Sequence, residues 1–257
     1  MDIVYSFKLI LMYLLGTLMG SFYGVVGYRR GKGEDFVKGR SYCNNCKHLL
    51  KWYDLIPIIS YLTLKGKCRY CHKKISPVLP FVELTTGLLF VIAFYSFSNI
   101  FDLLVCIFII SLLMIVIVSD LEYYIIPDEV LIFFIVCFII LQLFRVGFIE
   151  TLIHIGTGLF LFFVMYGILI LGNYLFKKES MGGGDVKLLF IFGLVLDPLI
   201  GLFTIFLASF IALPVSFYLY ITNKNKIIPF GPFLIIAFLI LYFTKITTPD
   251  ILTFLQI

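Results

Sequence analysis

FDLLVCIFIISLLMIVIVSD, residues 101–120, is the stretch that decides the fold. It is apolar for long enough to cross a hydrocarbon core, which takes roughly 17 to 25 helical residues, and it closes on a carboxylate, Asp120. An acid where a hydrophobic helix meets the membrane surface is expensive to keep, so function is its first reading. A second acid, Asp185, stands in the same kind of place, closing the tetrapeptide Gly182-Gly183-Gly184-Asp185 at the head of a later apolar segment.

The rest of the chain has the same character. Of its 257 residues 61% are hydrophobic and 14% charged, and the mean hydropathy is +1.09. That composition fits an all-α polytopic membrane protein. Apolar runs occupy 7–27, 80–97, 101–119, 128–145, 151–176, 199–221 and 232–248, with a shorter eighth at 186–196, so about eight transmembrane helices are expected. The first run is too long for a signal peptide and lacks its basic start and cleavage site, and reads as a permanent span. The expected organisation is a first transmembrane helix (1–27), a cytoplasmic loop domain (28–79) and a membrane-embedded domain carrying both aspartates (80–257).

Twelve of the 20 basic residues lie between Arg29 and Lys74. Lys and Arg gather in short loops on the cytoplasmic side, so this loop is expected inside. Eight crossings then bring Lys177, Lys178, Lys187, Lys224 and Lys226 to the same side and leave Lys8, Arg145 and Lys245 opposite. The net charge of +5 is thus mostly one loop lying on an anionic lipid bilayer, an attraction of about 1 kcal/mol per basic residue near the surface. No nucleic acid is needed to explain it.

Two full spans separate Asp120 from Asp185. An even number of crossings returns the chain to its starting face, so the two acids share a side whichever way the protein is inserted. Neighbouring carboxylates do not readily ionise together. They hold one proton between them, and one can act as base on water while the other donates to a substrate carbonyl, which is aspartyl-protease chemistry. Asp185, at a helix N-terminus, is favoured as the base, and Asp120, at a C-terminus, as the acid. Gly182, Gly183 and Gly184 are expected to adopt unusual backbone angles and to admit an extended substrate. Asp128, just past Pro127, reads with Glu129 as the first turn of the fourth span, and its nearness makes it a secondary candidate. Glu83, entering the second span, is another; it needs a partner in the basic loop or the aspartate cavity. The bland alternative, two inert helix caps, is disfavoured by the glycine context and the shared face.

Within the basic loop, Cys43-x2-Cys46 and Cys68-x2-Cys71 are separated by 21 residues. Two such pairs supply four thiolates in a tetrahedron, the arrangement of a structural Zn2+ site. Disulfides are the competing reading, but they rarely persist in the cytoplasm. Four protein ligands leave no position for substrate, so the metal's expected task is to fold the loop. Between the pairs, Trp52-Tyr53-Asp54-Leu55-Ile56-Pro57 and Ser60-Tyr61-Leu62 are too apolar for a linker, which suggests a small subdomain resting on the membrane. Cys106 and Cys137 read as small packed hydrophobes, and His154 as a lone polar group near the outer face.

These ordered motifs resemble the bacterial type IV prepilin peptidases over nearly the whole chain. The resemblance is carried by Gly20-Ser21-Phe22 and Arg29, the cysteine pairs flanking Trp52–Pro57, Gly66-Lys67-Cys68-Arg69, Pro80-x-Val82-Glu83, Asp120 with Ile126-Pro127-Asp128, and Gly182-x-Gly184-Asp185. It implies an intramembrane aspartyl protease of the bacterial cytoplasmic membrane, with Asp120 and Asp185 as the catalytic pair. Its substrates would be prepilins and pseudopilins, cut on the cytoplasmic side to release a short basic leader. It further implies methylation of the new N-terminus using S-adenosylmethionine. Nothing here looks like a soluble nucleotide-binding unit, so that cofactor's site would be built from the loop and adjoining helices. One departure stands out: where members commonly carry Asn two residues after the Gly-Ser-Phe motif, this chain has Gly24.

A proton-coupled transporter is the alternative use of two membrane aspartates, but it would be expected to show inverted repeats, and none is visible. The presenilin-type enzymes also use Gly-x-Gly-Asp, yet here Ser119 precedes the first aspartate where they have Tyr, and their Pro-Ala-Leu triplet is absent.

Overall fold

The computed structural model describes residues 3–37, 39–177, 181–222 and 229–254. Lys38, Lys178, Lys224 and Lys226, counted above toward the positive side, lie outside the described residues. Among those described there are ten α-helices and no strand: α1 (Ile3–Gly31), α2 (Ile59–Thr63), α3 (Val78–Ser96), α4 (Ile100–Tyr123), α5 (Asp128–Val146), α6 (Phe148–Phe176), α7 (Gly183–Gly193), α8 (Pro198–Ile221), α9 (Gly231–Thr244) and α10 (Thr248–Phe254). A short 3-10 turn, Trp52–Asp54, precedes α2.

Six of these, α1, α3, α4, α5, α6 and α8, are long and apolar enough to cross a membrane. The protein is a multi-pass membrane protein. The other two apolar segments form shorter helices, α7 with 11 residues and α9 with 14. At about 1.5 Å per residue, neither alone matches a hydrocarbon core of about 30 Å.

Ile and Val are indifferent helix formers in water, yet they fill α4. In lipid a backbone must satisfy its own polar groups, and the helix does so within one segment. Asn99 starts α4, its side chain accepting from the Phe101 N–H at 3.0 Å. This helix is the centre of the molecule: 61% of its most apolar window is buried in protein, against no more than 33% for the other five spans. It packs on α1, α3, α5 and α9. Close approach, which replaces the hydrophobic effect between helices in lipid, is set by small residues. A Cβ on Gly16 would lie 2.8 Å from the Gly87 Cα, and one on Gly193 would lie 2.5 Å from the Gly158 Cα.

The second contact presses α7 onto α6. Because α7 stops after three turns, its terminal carbonyls need partners inside the protein. Gln142 of α5, fully buried, donates to the Leu194 carbonyl at 2.5 Å. His154 of α6 donates to the carbonyl of Gly193, so it is not the lone polar group that its sequence context suggested. Gln142→Leu keeps the volume and leaves that carbonyl unpaired in an apolar place. It is expected to destabilise the protein by about 1–3 kcal/mol, read as a lowered unfolding midpoint in detergent micelles; an unchanged midpoint would show that the bond contributes nothing.

Candidate active site

Asp120 lies in the last turn of α4 and Asp185 is the third residue of α7. After α4 the chain reverses because Tyr124 takes the left-handed conformation (φ 57, ψ 34) while its N–H donates to the Asp120 carbonyl. Pro127, with φ −67 and ψ 126, then starts α5. This sharp return tucks Ile126 between α7 and α9: a Cβ on Gly184 would lie 2.8 Å from the Ile126 Cβ, and one on Gly231 would lie 2.8 Å from the Ile126 Cδ1.

Both carboxylates are buried, each 6% exposed. Gly231, first residue of α9, stands between them. A Cβ there would sit 3.2 Å from Asp185 Oδ1 and 3.3 Å from Asp120 Oδ2. The two oxygens therefore face one spot and are no farther apart than those distances laid end to end. Among the described residues, Asp185 Oδ1 has no hydrogen-bond partner.

The three glycines do not take unusual backbone angles. Gly182 is extended (φ −74, ψ 143), Gly183 and Gly184 belong to the first turn of α7, and none takes a positive φ. Gly184 is needed for close approach to Ile126, whereas a side chain on Gly183 would meet nothing within 4 Å. Gly231 is the residue that sequence reading missed. The available signal was Pro229-Phe230-Gly231-Pro232, a glycine held between two prolines at the head of an apolar run.

The secondary candidates have partners of their own. Asp128 does open α5, and its carboxylate, 61% exposed, pairs with Lys187 at 2.6 Å; Glu129 pairs with Arg30 at 2.8 Å. Glu83 finds its partners toward the loop and α1: it accepts from the Ile58 N–H at 2.7 Å and from the Ser21 hydroxyl. Ile58 is a β-branched residue at φ 62, an uncommon conformation held in place by that carboxylate.

Glu83 lines a cavity of roughly 450 Å³ between α1, the cysteine loop and α3, together with Tyr42, Asp54, Tyr61 and Arg69. Neither aspartate lines it. Val118 and Glu122 of α4 do, and Asp120 lies between them in sequence, rotated to the far side of the same helix. Gly24 is also on this wall, where a Cβ would lie 2.9 Å from Leu79 Cδ2. The space of the side chain missing at this departure is occupied by leucine.

The cysteine pairs form two copies of one turn. In the first, the Cys43 N–H donates to the His48 carbonyl and the Lys47 N–H to the Cys43 carbonyl; in the second, Cys68 and Lys73, then His72 and Cys68, repeat the pattern. The last donor of each, Lys47 and His72, has positive φ. The four sulfurs lie within 4.8 Å of one another, and Cys43 Sγ to Cys71 Sγ is 3.9 Å. Tetrahedral Zn–S bonds of about 2.3 Å separate sulfurs by about 3.8 Å, so the donor set fits a metal ion. The Lys73 N–H directed at Cys71 draws that thiol down to about 6. Cys46 rises to about 11: the His48 N–H favours its thiolate, but burial and the thiols of Cys43 and Cys71 oppose it. A central divalent cation would allow all four to be thiolates together.

Residues 14–97 match the bacterial peptidase A24 N-terminal domain, and residues 106–217 match the type IV leader peptidase family. A prepilin leader peptidase/N-methyltransferase of Bacillus subtilis is 34% identical over 188 residues, covering 72% of this chain and 73% of that protein. The protein of the same name in Vibrio cholerae is 31% identical over 258 residues, covering 95% and 98%. That of Myxococcus xanthus is 33% identical over 187 residues, covering 72% and 55%. No solved structure matches the chain. The chain belongs to the type IV leader peptidase family.

Proposed function

We propose that this protein is an aspartyl endopeptidase that removes the basic leader of type IV prepilins and pseudopilins at the cytoplasmic face of a bacterial inner membrane, and then methylates the new N-terminus. The observation that carries this reading is the pair of buried carboxylates, Asp120 and Asp185, facing one spot beside Gly231. The scissile peptide and a water take that spot. Asp185 at its helix N-terminus starts ionised and takes a proton from the water, whose oxygen bonds to the carbonyl carbon. Asp120 donates its proton to the carbonyl oxygen. As the tetrahedral gem-diol collapses, the C–N bond breaks, the leaving nitrogen takes a proton from Asp185 and one gem-diol hydroxyl returns a proton to Asp120, giving a leader carboxyl, a free amine and the dyad in its starting state. The apolar segment behind the leader stays in lipid throughout, so no soluble intermediate is needed.

For the second step, the cavity beside Glu83 has the size of small-molecule sites, about 300–1,000 Å³, and its tyrosines Tyr28, Tyr42 and Tyr61 suit a cationic sulfonium. S-adenosylmethionine bound there would supply the methyl group. A basic leader needs an acid nearby: Asp54 and Glu83 are already engaged by Arg69 and Ile58, which leaves Glu122, on the cavity wall, as the candidate. Zn2+ held by Cys43, Cys46, Cys68 and Cys71 folds the loop that closes this cavity. Chelation is expected to open residues 43–74 to protease while the helices stay intact, with one zinc per chain lost by elemental mass spectrometry; a loop that keeps its protection without metal would reject a structural role.

Mass spectrometry of a prepilin co-expressed with this chain tests the reading. A new N-terminus carrying one methyl group is expected, and an unprocessed prepilin beside a correctly inserted enzyme would reject it.

A further inference from the structure

The segment between the cysteine pairs is folded with its polarity reversed. Trp52, the chain's single tryptophan, is 77% exposed, Ile59 is 58% exposed and Leu62 is 67% exposed. Asp54, two residues from Trp52, is turned inward with its side chain 3% exposed, where it pairs with Arg69 at 2.7 Å and accepts from the Tyr70 hydroxyl at 3.2 Å. A subdomain facing water does the opposite. On α2 the division follows the helical period: Ile59 and Leu62 share the outer face, while Ser60, Tyr61 and Leu64 line the cavity.

The depth of this segment is fixed by its neighbours. The Ile58 N–H donates to Glu83, which is the sixth residue of the membrane-spanning α3, about 7.5 Å along its axis. The start of α2 is therefore level with the first turns of a span, not above them. Phe81 and Leu84 on those turns are 57% and 41% exposed, so lipid-facing surface adjoins the segment. Exposed lysines, Lys51 and Lys65, flank it at either end.

We propose that residues 52–63 are an in-plane membrane anchor. Trp52, Ile59 and Leu62 enter the interfacial zone of the bilayer, with Lys51 and Lys65 at anionic headgroups. Lipid docking thereby fixes one wall of the cavity, since α2 faces bilayer on one side and cavity on the other. This inference needs the membrane reading of the chain but neither catalytic step.

The lone tryptophan makes the test direct. The full-length protein is placed in nanodiscs of phosphatidylethanolamine and phosphatidylglycerol, with and without acyl chains brominated near the headgroup, and its indole emission is recorded against a Trp52→Phe blank. The expected result is blue-shifted emission, most of it lost in brominated lipid and little of it to aqueous acrylamide. Ile59→Asn with Leu62→Asn should restore emission in brominated lipid and open Trp52 to acrylamide. Emission quenched by acrylamide and indifferent to bromine overturns the proposal, as does emission that becomes protected only when a prepilin is added, which would make the face a substrate surface.

Discussion

Asp120→Asn and Asp185→Asn are each expected to lower kcat/KM for prepilin cleavage by roughly 10³-fold or more. Asparagine keeps the size and one carbonyl oxygen of the carboxylate, so packing against Gly231 and Ile126 is retained. What it loses is the ability to take up or release a proton at the working pH. The two substitutions should not multiply. If the acids act as one unit, the double variant will be about as slow as either single one, since removing one member already disables the pair. Losses that multiply would mean separate roles, and cleavage surviving in both single variants would end the dyad reading. Membrane insertion and the unfolding midpoint should stay near the parent values, because each substitution removes a buried ionisable group without opening a void.

Gly231→Ala is the second large effect, an expected fall of about 10²-fold in cleavage, the usual consequence of misplacing reacting groups by about 1 Å. The added methyl would meet the Ile126 Cδ1 at 2.8 Å and the two carboxylate oxygens at 3.2 and 3.3 Å. Ile126 ends in a mobile methyl and can yield. The carboxylates can yield only by parting, or the substrate must give up the space. Combining Gly231→Ala with Ile126→Val separates these causes. Relief of the isoleucine contact alone should restore stability but not cleavage; recovered cleavage would show that Gly231 serves packing only.

Most of the fold was legible because lipid leaves few choices. Each apolar run read from the sequence corresponds to a helix, and the shared face of Asp120 and Asp185 followed from counting two spans, now α5 and α6. The clustering of the four cysteines was legible from their paired spacing. Other features depended on contacts between distant segments. Nothing near Gly231 in the chain says that α9 begins between two acids contributed by α4 and α7. Gly184 was read for both unusual angles and close approach of a substrate; a glycine required for close contact and one required for an unusual angle look alike until the neighbour, here Ile126, is known. Gln142 was passed over because its partner is a carbonyl exposed only by the early end of α7.

Residues 118 to 122 of α4 amount to a party wall. Val118 and Glu122 line the cavity beside the cysteine loop, and Asp120, about 200° round the same helix, faces Asp185 and Gly231 on the other side. A helix with its side chains is about 10 Å across, so in the proposed scheme an amine freed beside Asp120 and Asp185 has that distance to travel to a methyl donor bound beside Glu83. The cut pilin can make the passage while its apolar segment stays in the bilayer. The proposed sequence of cleavage and methylation is therefore expected to be processive, with cleaved but unmethylated pilin scarce when S-adenosylmethionine is supplied in excess.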